Sequence, residues 1–564
     1  MNYLNDAIQF LVFIGALILL SVPLGGYFAK VFQGEKNFLS PVLAKPEKWI
    51  YKLLGINPDK EMSWKEYVAN ILLLSLLGII VLVALQSFQN HLPLNPQKIG
   101  KVEFFLALNT AISFVTNTNW QSYSGEVTLS YLVQMIGLTV QNFVSAAVGI
   151  SVMIAVIRGV VIRKGNSLGN FWIDFMRSIF YVLMPLSIVV AVLLISQGVV
   201  QTFSPYAIVK TLEGGSQTIP FGPAASQIAI KQLGTNGGGF FGVNSTFPFE
   251  NSTPFSNFVQ VLSILLIPTA LVFTYGKMLG NKKHAWTIFA VMMFVFYAGL
   301  AFSYWSEVSA NPFNSTGQLM EGKETRFGIF NSVLWSVSTT LASNGSVNAM
   351  HSSLSPVSGM IAMLNIQLGE IIFGGVGSGM YGIFLFILLT VFISGLMVGR
   401  TPEYFGKKIE SYEIKWAIIG VLLPSIIILF FTALALTIDN GLSSILNKGP
   451  HGLSEILYAF SSGAGNNGSA FAGLNTNTNF YNITMGIAML LGRFGVIIPV
   501  LAIAGNLVKK NIAPVTSGTF STDNSLFAFL LLSVILIVGA LTFFPILSLG
   551  PILEHLVMQN GITF

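Results

Sequence analysis

The stretch QLGTNGGGFFGVNS at residues 232–245 places Thr, Asn and Gly directly after a short apolar segment. Three further stretches have a similar design: FVTNTNWQSY (114–123), TTLASNGSVNAMHSS (339–353) and SSGAGNNGSAFAGL (461–474). We name the clusters polar loops 1 to 4, at residues 116–119, 235–239, 343–346 and 466–469. The apolar segments before them, 101–115, 223–233, 327–341 and 453–462, are too short to cross a bilayer, which takes about 20 helical residues. The pattern predicts four short helices, each ending in a polar loop.

The composition around these stretches is that of a membrane protein. Of the 564 residues, 53% are apolar and only 9% are charged, against about 25% charged in soluble domains. A water-soluble enzyme, a nucleic-acid-binding protein and a disordered chain are therefore excluded. The chain has no cysteine, which excludes disulfides and thiolate metal sites.

Ten apolar segments are long enough to span the bilayer as helices. They lie near residues 7–32, 67–88, 127–157, 173–198, 256–279, 285–305, 356–399, 414–437, 482–507 and 525–547. We interpret the unusually long seventh segment as one broken crossing. The predicted fold is an all-α polytopic membrane protein in which four pseudo-repeats of helix, re-entrant helix, loop and helix surround one central pore, as in a K⁺ channel. The repeats are expected at 67–157, 173–279, 285–399 and 414–507, with end segments at 1–66 and 525–564.

Charge predicts the orientation. With both termini outside, the inside connections carry 20 Lys and Arg residues and the outside segments carry 7, while one more, Arg493, lies within a span. Cytoplasmic loops are enriched in Lys and Arg, so we expect the termini and the four polar loops to face the exterior.

The chemistry of the polar loops favours a monovalent cation. Glycine exposes backbone carbonyls without a Cβ, and rings of carbonyl oxygens can replace the hydration shell of an ion. The C-terminal ends of four re-entrant helices would add partial negative charge. The clusters contain no Asp or Glu, which argues against a divalent ion. We expect K⁺.

These strings, together with LGEIIFGGVGSGMYG (368–382) and LLGRFGV (490–496), resemble the KdpA family, the potassium-binding subunits of bacterial Kdp P-type ATPase complexes. That family belongs to a superfamily with the Trk, Ktr and HKT transporters. The resemblance implies a K⁺ selectivity filter formed by Thr116, Asn117, Thr118 and Gln121; Thr235, Asn236, Gly237 and Gly238; Ser343, Asn344 and Gly345; and Asn466, Asn467 and Gly468. In the shared pattern Asn117 corresponds to Asn236, so loop 1 has Thr118 where the other loops have glycine.

Two features inside the spans predict an obstruction below this filter. Glu370 precedes Gly374, Gly375, Gly377 and Gly379, and such a density of glycine disfavours a continuous helix. The glycines predict a flexible gate loop, with close helix packing as the alternative. Arg493 lies within the ninth span, where an ionised group is costly. It is interpreted as a barrier to K⁺ or as the partner of Glu370 in an ion pair.

The chain has neither a Walker-type nucleotide loop nor the DKTG motif of P-type ATPases, and we expect a non-catalytic subunit that binds K⁺ and no nucleotide or transition metal. The resemblance implies an ATP-driven K⁺ import complex in the bacterial inner membrane, in which K⁺ passes through an intramembrane tunnel to a separate subunit. The implied partners are a KdpB-like P-type ATPase subunit, a single-span KdpC-like subunit, a small KdpF-like peptide and membrane lipid, and no nucleic acid. The alternatives are an autonomous Trk/Ktr/HKT-like channel or cation-coupled transporter and a secondary transporter of organic solutes.

Overall fold

Long apolar helices dominate the computed structural model, which describes residues 3–309, 319–369, 371–397, 399, 401–514 and 520–562. Within these residues ten helices are long and apolar enough to cross a membrane, which confirms the predicted number. Spans 1 to 10 are Tyr3–Phe32, Trp64–Ser87, Val133–Val161, Phe171–Ser196, Pro254–Leu279, Lys282–Val308, Ser378–Met397, Ser411–Thr437, Asn479–Leu507 and Ser525–Gln559. Spans 3, 4 and 10 contain π-helical turns at Val133–Thr139, Ser178–Leu183 and Ser548–Ile552.

The spans fall into an outer and an inner set. In spans 3, 5, 7 and 9, the most apolar window is 83%, 89%, 72% and 61% buried inside the protein, whereas in the other six spans the share is 44% or less. Because a helix that is apolar all round and buried belongs to a core, the four inner spans form the centre of the bundle. The outer spans present their side chains outward.

A short helix lies between each outer span and the inner span that follows it. These short helices 1 to 4 are Phe104–Val115, Ala224–Leu233, Gly328–Leu341 and Gly449–Ala464. The first begins after Glu103, whose carboxylate accepts the backbone N–H of Leu106 at 3.0 Å and caps the helix. The fourth begins four residues before the predicted segment. Almost all residues of the short helices are buried.

The seventh predicted crossing is broken, as expected. A helix at Pro356–Gln367 is separated from span 7 by residues 368–377, which form no regular element where they are described. Phe373, Gly374 and Gly377 within the break have positive φ angles. Gly379 was predicted to be part of the gate loop, but it lies in the first turn of span 7. Glu370 lies outside the described residues.

Smaller elements connect the spans. Short helical segments lie at Ser40–Leu53, Gln89–His91, Gly125–Thr128, Asn244–Thr246, His351–Ser353 and Asp439–Leu442. One antiparallel hairpin pairs Ala207–Lys210 with Ser216–Ile219, and Ala207 lies opposite Ile219. A second pairs Glu403–Tyr404 with Lys407–Lys408. The buried Lys407 ammonium donates to the carbonyls of Gly159, Ile162 and Leu507, and so joins the ends of spans 3 and 9.

Candidate ion-binding site

The four polar loops contact one another in a closed cyclic order. A Cβ added at Gly237 would overlap the carbonyl of Asn344, one at Gly345 the carbonyl of Asn467, and one at Gly468 the carbonyl of Thr118. These contacts join loop 2 to 3, loop 3 to 4 and loop 4 to 1. The ring closes between loops 1 and 2, where the Asn117 amide donates to the Thr235 carbonyl at 3.1 Å. Four segments that are 108 to 123 residues apart in sequence (Asn117, Thr235, Ser343 and Asn466) therefore meet at one place.

The loops share one backbone pattern, in which two residues with positive φ are separated by a single residue. The pairs are Asn117 and Asn119, Thr235 and Gly237, Ser343 and Gly345, and Asn466 and Gly468. Each first member lies two residues after the end of its short helix. The residue of loop 1 that corresponds to the glycines is thus Asn119, and Thr118 corresponds to Asn236. Our sequence alignment of loop 1 was therefore wrong by one residue. Asn is the non-glycine residue that best tolerates this conformation.

The Asn side chains in the ring link each loop to a neighbouring loop or to the short helix before that neighbouring loop. The Asn236 amide donates to Asn117 Oδ1 at 2.6 Å, the Asn344 amide to the Lys231 carbonyl at 3.1 Å, and the Asn467 amide to the Thr339 carbonyl at 2.9 Å. In loops 3 and 4 the Asn oxygens accept the backbone N–H two residues further on. These bonds hold the loops in place, and the groups that the loops can offer to a ligand are neutral oxygens.

Three other predicted site residues take similar supporting positions. The Gln121 side-chain amide donates to the Gly239 carbonyl at 3.1 Å, and its oxygen accepts the Gly239 N–H at 2.9 Å. These two bonds hold loop 1 against loop 2. Thr116 donates back to Ile112 within its own short helix. Gly238 lies against Asn119. The structure brings all predicted loop residues into one cluster.

The broken crossing packs against the same cluster. The Val376 N–H donates to the Thr235 hydroxyl at 2.9 Å, and the Gly374 N–H donates to the carbonyl of Leu341, the last residue of short helix 3, at 3.2 Å. The backbones of Gly377 and Gly149 approach so closely that a Cβ on either would overlap the other segment. Glycine is required here for this approach. Gly375 lies in the same described, non-helical stretch.

Arg493 is buried next to this break, with 5% of its surface exposed. Its guanidinium is 3.5 Å from the Ser145 carbonyl and borders Gly149 of span 3. Among the described residues no carboxylate forms an ion pair with it, and the predicted partner Glu370 lies outside those residues. Arg493 thus places a positive charge beside the ring and the break.

Two adjacent cavities, about 30 Å³ each, lead away from this point. The first is lined by Asn466 of loop 4, Arg493 and Tyr381. The second lies among the break, spans 7 and 8 and span 10, where Ile535 and Phe543 line it. Both cavities share a set of lining residues, namely Gly369, Gly382, Pro424 and Val496. The two cavities therefore lie side by side between loop 4 and the last span.

Among the described residues, two fully buried ion pairs were not predicted from the sequence, which assigned Lys231 and Lys323 to outside segments. Lys231 of short helix 2 pairs with Glu250 and also donates to Asn244 Oδ1 at 2.7 Å. Lys323 pairs with Glu307 at 2.8 Å. A lysine within an apolar segment too short to span could have indicated the first pair. In the described residues no group of three or more His, Asp or Glu could hold a metal ion.

The ten membrane-length helices and four short buried helices in the described part of the chain define a multi-pass membrane protein. Its fold resembles that of the potassium transporter TrkH from Vibrio parahaemolyticus, with a TM-score of 0.51 and 14% identity over 88% of this chain and 97% of that one. The family model described as "Potassium-transporting ATPase A subunit" (KdpA) matches residues 11–556, and the chain belongs to this family.

Relatives in the family are similar over their full length. One, from Leptospira interrogans serovar copenhageni, is 56% identical over 562 residues, which cover 99% of this chain and all of the relative. Another, from Brucella anthropi, is 54% identical over 565 residues, and the match covers 100% of this chain and 100% of the relative. Both are named potassium-transporting ATPase potassium-binding subunit.

Proposed function

We propose that polar loops 1 to 4 form a K⁺ selectivity filter, and that this chain is the K⁺-binding subunit of an ATP-driven import complex. The observation that carries the proposal is the closed ring in which each loop contacts the next through backbone carbonyls. Four short helices end at that ring, and their C-terminal ends stabilise a cation. The names of the relatives agree with K⁺ as the ligand.

The ring suits K⁺ because its oxygens are neutral and its loops are held rigidly. A carboxylate site would favour divalent ions, whereas carbonyl dipoles replace the weakly held water shell of K⁺. The residues that we propose for the filter are those of the four loops. Within this set Asn119 acts as a support, and so does Gln121 just after loop 1. The transported ion is the only ligand that we assign to the chain.

We further propose that K⁺ does not pass straight through. The break at residues 368–377 is bonded to Thr235 and Leu341 next to the ring, and Arg493 adds a repelling positive charge. Two adjacent small cavities lie between the ring and span 10 and support a lateral exit instead. K⁺ would leave by this lateral route to a KdpB-like P-type subunit, with KdpC-like and KdpF-like subunits completing the complex.

We propose that the complex lies in the bacterial inner membrane, with both termini and the polar loops on the outside. The excess of Lys and Arg in the opposite connections supports this orientation. A modification reagent that does not cross membranes should label a cysteine placed at exposed Gly100 and should not label one placed at exposed Lys283 in intact cells.

The alternative is an autonomous channel or cation-coupled transporter, and the TrkH-like fold is the observation that favours it. The two functions differ in their need for ATP. Purification of the chain with its associated subunits should yield an ATPase that K⁺ stimulates. K⁺ flux through the chain alone, in vesicles without ATP, would instead support the channel.

The placement of the filter is tested by Gly237→Asp. A side chain at this position meets the Asn344 carbonyl, and its carboxylate would disturb the ring of neutral oxygens. We expect weaker discrimination of K⁺ from Rb⁺ and Na⁺ in ATPase stimulation. Gly100→Asp, at a position with open space around it, is the matched control. Unchanged discrimination in Gly237→Asp would refute this placement.

A further inference from the structure

The connection between spans 1 and 2 contains the helix Ser40–Leu53, and one face of this helix is fastened to the bundle. The buried Glu47 carboxylate accepts the hydroxyls of Tyr51 at 2.7 Å and Tyr181 at 2.8 Å, and it pairs with Arg177 of span 4 at 3.1 Å. Because these bonds fix how the helix is rotated against the bundle, they also fix the orientation of its two other faces, one apolar and one basic.

The second face is apolar and exposed. Val42, Pro46, Trp49 and Leu53 follow one another at helical spacing and form a stripe along one side. Val42, Trp49 and Leu53 have 64% to 69% of their surface exposed, and Phe38 just before the helix has 74%. Large apolar side chains in one exposed stripe mark a surface that contacts a membrane or a partner.

The third face lies directly beside this stripe and is basic. Lys45, Lys48 and Lys52 are exposed and spaced three and four residues apart, which places them along one line of the helix. Beside the first two turns of the helix, a cavity of about 470 Å³ is lined by Lys36, Arg177, Glu35 and Glu47.

We propose that the helix Ser40–Leu53 lies in the bilayer interface and binds the headgroups of anionic phospholipids. Its apolar stripe would enter the boundary of the acyl chains, and the lysine row would meet the lipid phosphates. A helix with Trp and aliphatic residues on one face and Lys beside them is typical of such surfaces, and anionic headgroups attract clustered lysines. The lysine row supplies the charge complementarity that selects anionic lipid. The proposal does not depend on K⁺ binding by the polar loops.

The chain contains no cysteine, so a single introduced cysteine can carry a fluorescent label. The full chain with Trp49→Cys is labelled and reconstituted into phosphatidylglycerol vesicles. Lipids brominated on their acyl chains should quench the fluorescence of this label at least twofold more than that of a label at the control position, Asp59→Cys. Asp59 is exposed in the same connection but outside the helix. Equal, weak quenching at both positions would overturn the proposal. Quenching that disappears when the chain is reconstituted with its co-purifying subunits would assign the stripe to a protein partner and would also overturn it.

The headgroup preference has a separate test. The amount of phosphatidylglycerol that stays bound to the purified chain should fall at least twofold when Lys45, Lys48 and Lys52 are all changed to Gln. The matched control, Lys282→Gln with Lys283→Gln, removes two exposed charges elsewhere and should retain the lipid. An equal loss in both variants, or none in either, would contradict specific binding by this helix.

Discussion

The backbone N–H of Val376 donates a hydrogen bond to the Thr235 hydroxyl at a distance of 2.9 Å, and so joins the break in the seventh crossing to polar loop 2. Thr235 has a positive φ of 48° and in turn donates to the carbonyl of Gly234. The break and the ring of loops are thus parts of one hydrogen-bonded unit.

Thr235→Val is expected to loosen this unit, because it keeps the β-branched shape but removes the acceptor for the Val376 N–H. A buried donor left without a partner costs about 1–3 kcal/mol. We expect a raised ATP-independent K⁺ leak through reconstituted vesicles, and Thr235→Ser should restore the wild-type value. An equal leak in Thr235→Val and in the wild type would show that the hydrogen bond between Val376 and Thr235 does not hold the break in place.

Gly345→Ala is expected to weaken K⁺ binding at least tenfold. The added Cβ would overlap the Asn467 carbonyl, and the φ of 90° at this position strains any residue other than glycine. The measurement is the K⁺ concentration that half-saturates ATPase activity. Gly15→Ala, in span 1 with nothing within 4 Å, is the control and should leave this value unchanged. Wild-type K⁺ dependence in Gly345→Ala would contradict a tightly packed ring.

Lys231→Met is expected to destabilise the chain by about 3–5 kcal/mol, since it leaves the buried Glu250 carboxylate without its partner. The double variant Lys231→Met/Glu250→Gln should recover most of this loss, because no charge stays unpaired. Thermal unfolding in detergent measures the effect, and the exposed Lys283→Met serves as control. A double variant as unstable as the single one would mean that the pair matters through something other than charge balance.

Acidification is expected to destabilise loop 4 through His351. Burial, aided by the charge of Lys323, lowers the pKa of His351 from 6.5 to about 4. The His351 imidazole is hydrogen-bonded to the Tyr458 hydroxyl, which is in turn hydrogen-bonded to Ser469 of loop 4. Since the unfolded chain takes up the proton first, stability is full above pH 6.5 and falls as the pH drops towards 4.

By about pH 4 the loss in the free energy of unfolding should reach about 3 kcal/mol for this shift in pKa. Thermal unfolding at pH 7.5 and pH 5 should therefore differ less in His351→Asn than in wild type. His91→Gln, which changes an exposed histidine, should keep the wild-type difference. An undiminished difference in His351→Asn would assign the acid sensitivity to other groups.

Much of the fold could be predicted from the sequence because the bilayer imposes lengths. Twenty apolar residues cross it, twelve do not, and this difference revealed ten spans, four short helices and the broken seventh crossing. Cluster composition likewise indicated which residues meet at the ring. Length and composition determine whether a segment crosses, and both can be counted without coordinates.

The register of loop 1 could not be predicted in this way. It depends on backbone angles, and Asn119 takes the conformation that glycine takes in the other three loops. The pairing of Lys231 with Glu250 was also missed, because it depends on the packing of residues that both appeared to lie in outside segments. The lateral cavities arise between helices that are distant in sequence, and no local pattern encodes them.

The two fully buried ion pairs bear on how the chain is synthesised. Lys231 and Glu250 are 19 residues apart, and Glu307 and Lys323 (323 − 307) are 16 residues apart. A charge that is buried without its partner is costly. Because each charge meets its opposite within a few turns of newly made chain, each segment can become electrically neutral soon after it leaves the ribosome. Biogenesis can then proceed segment by segment, before the distant loops have come together.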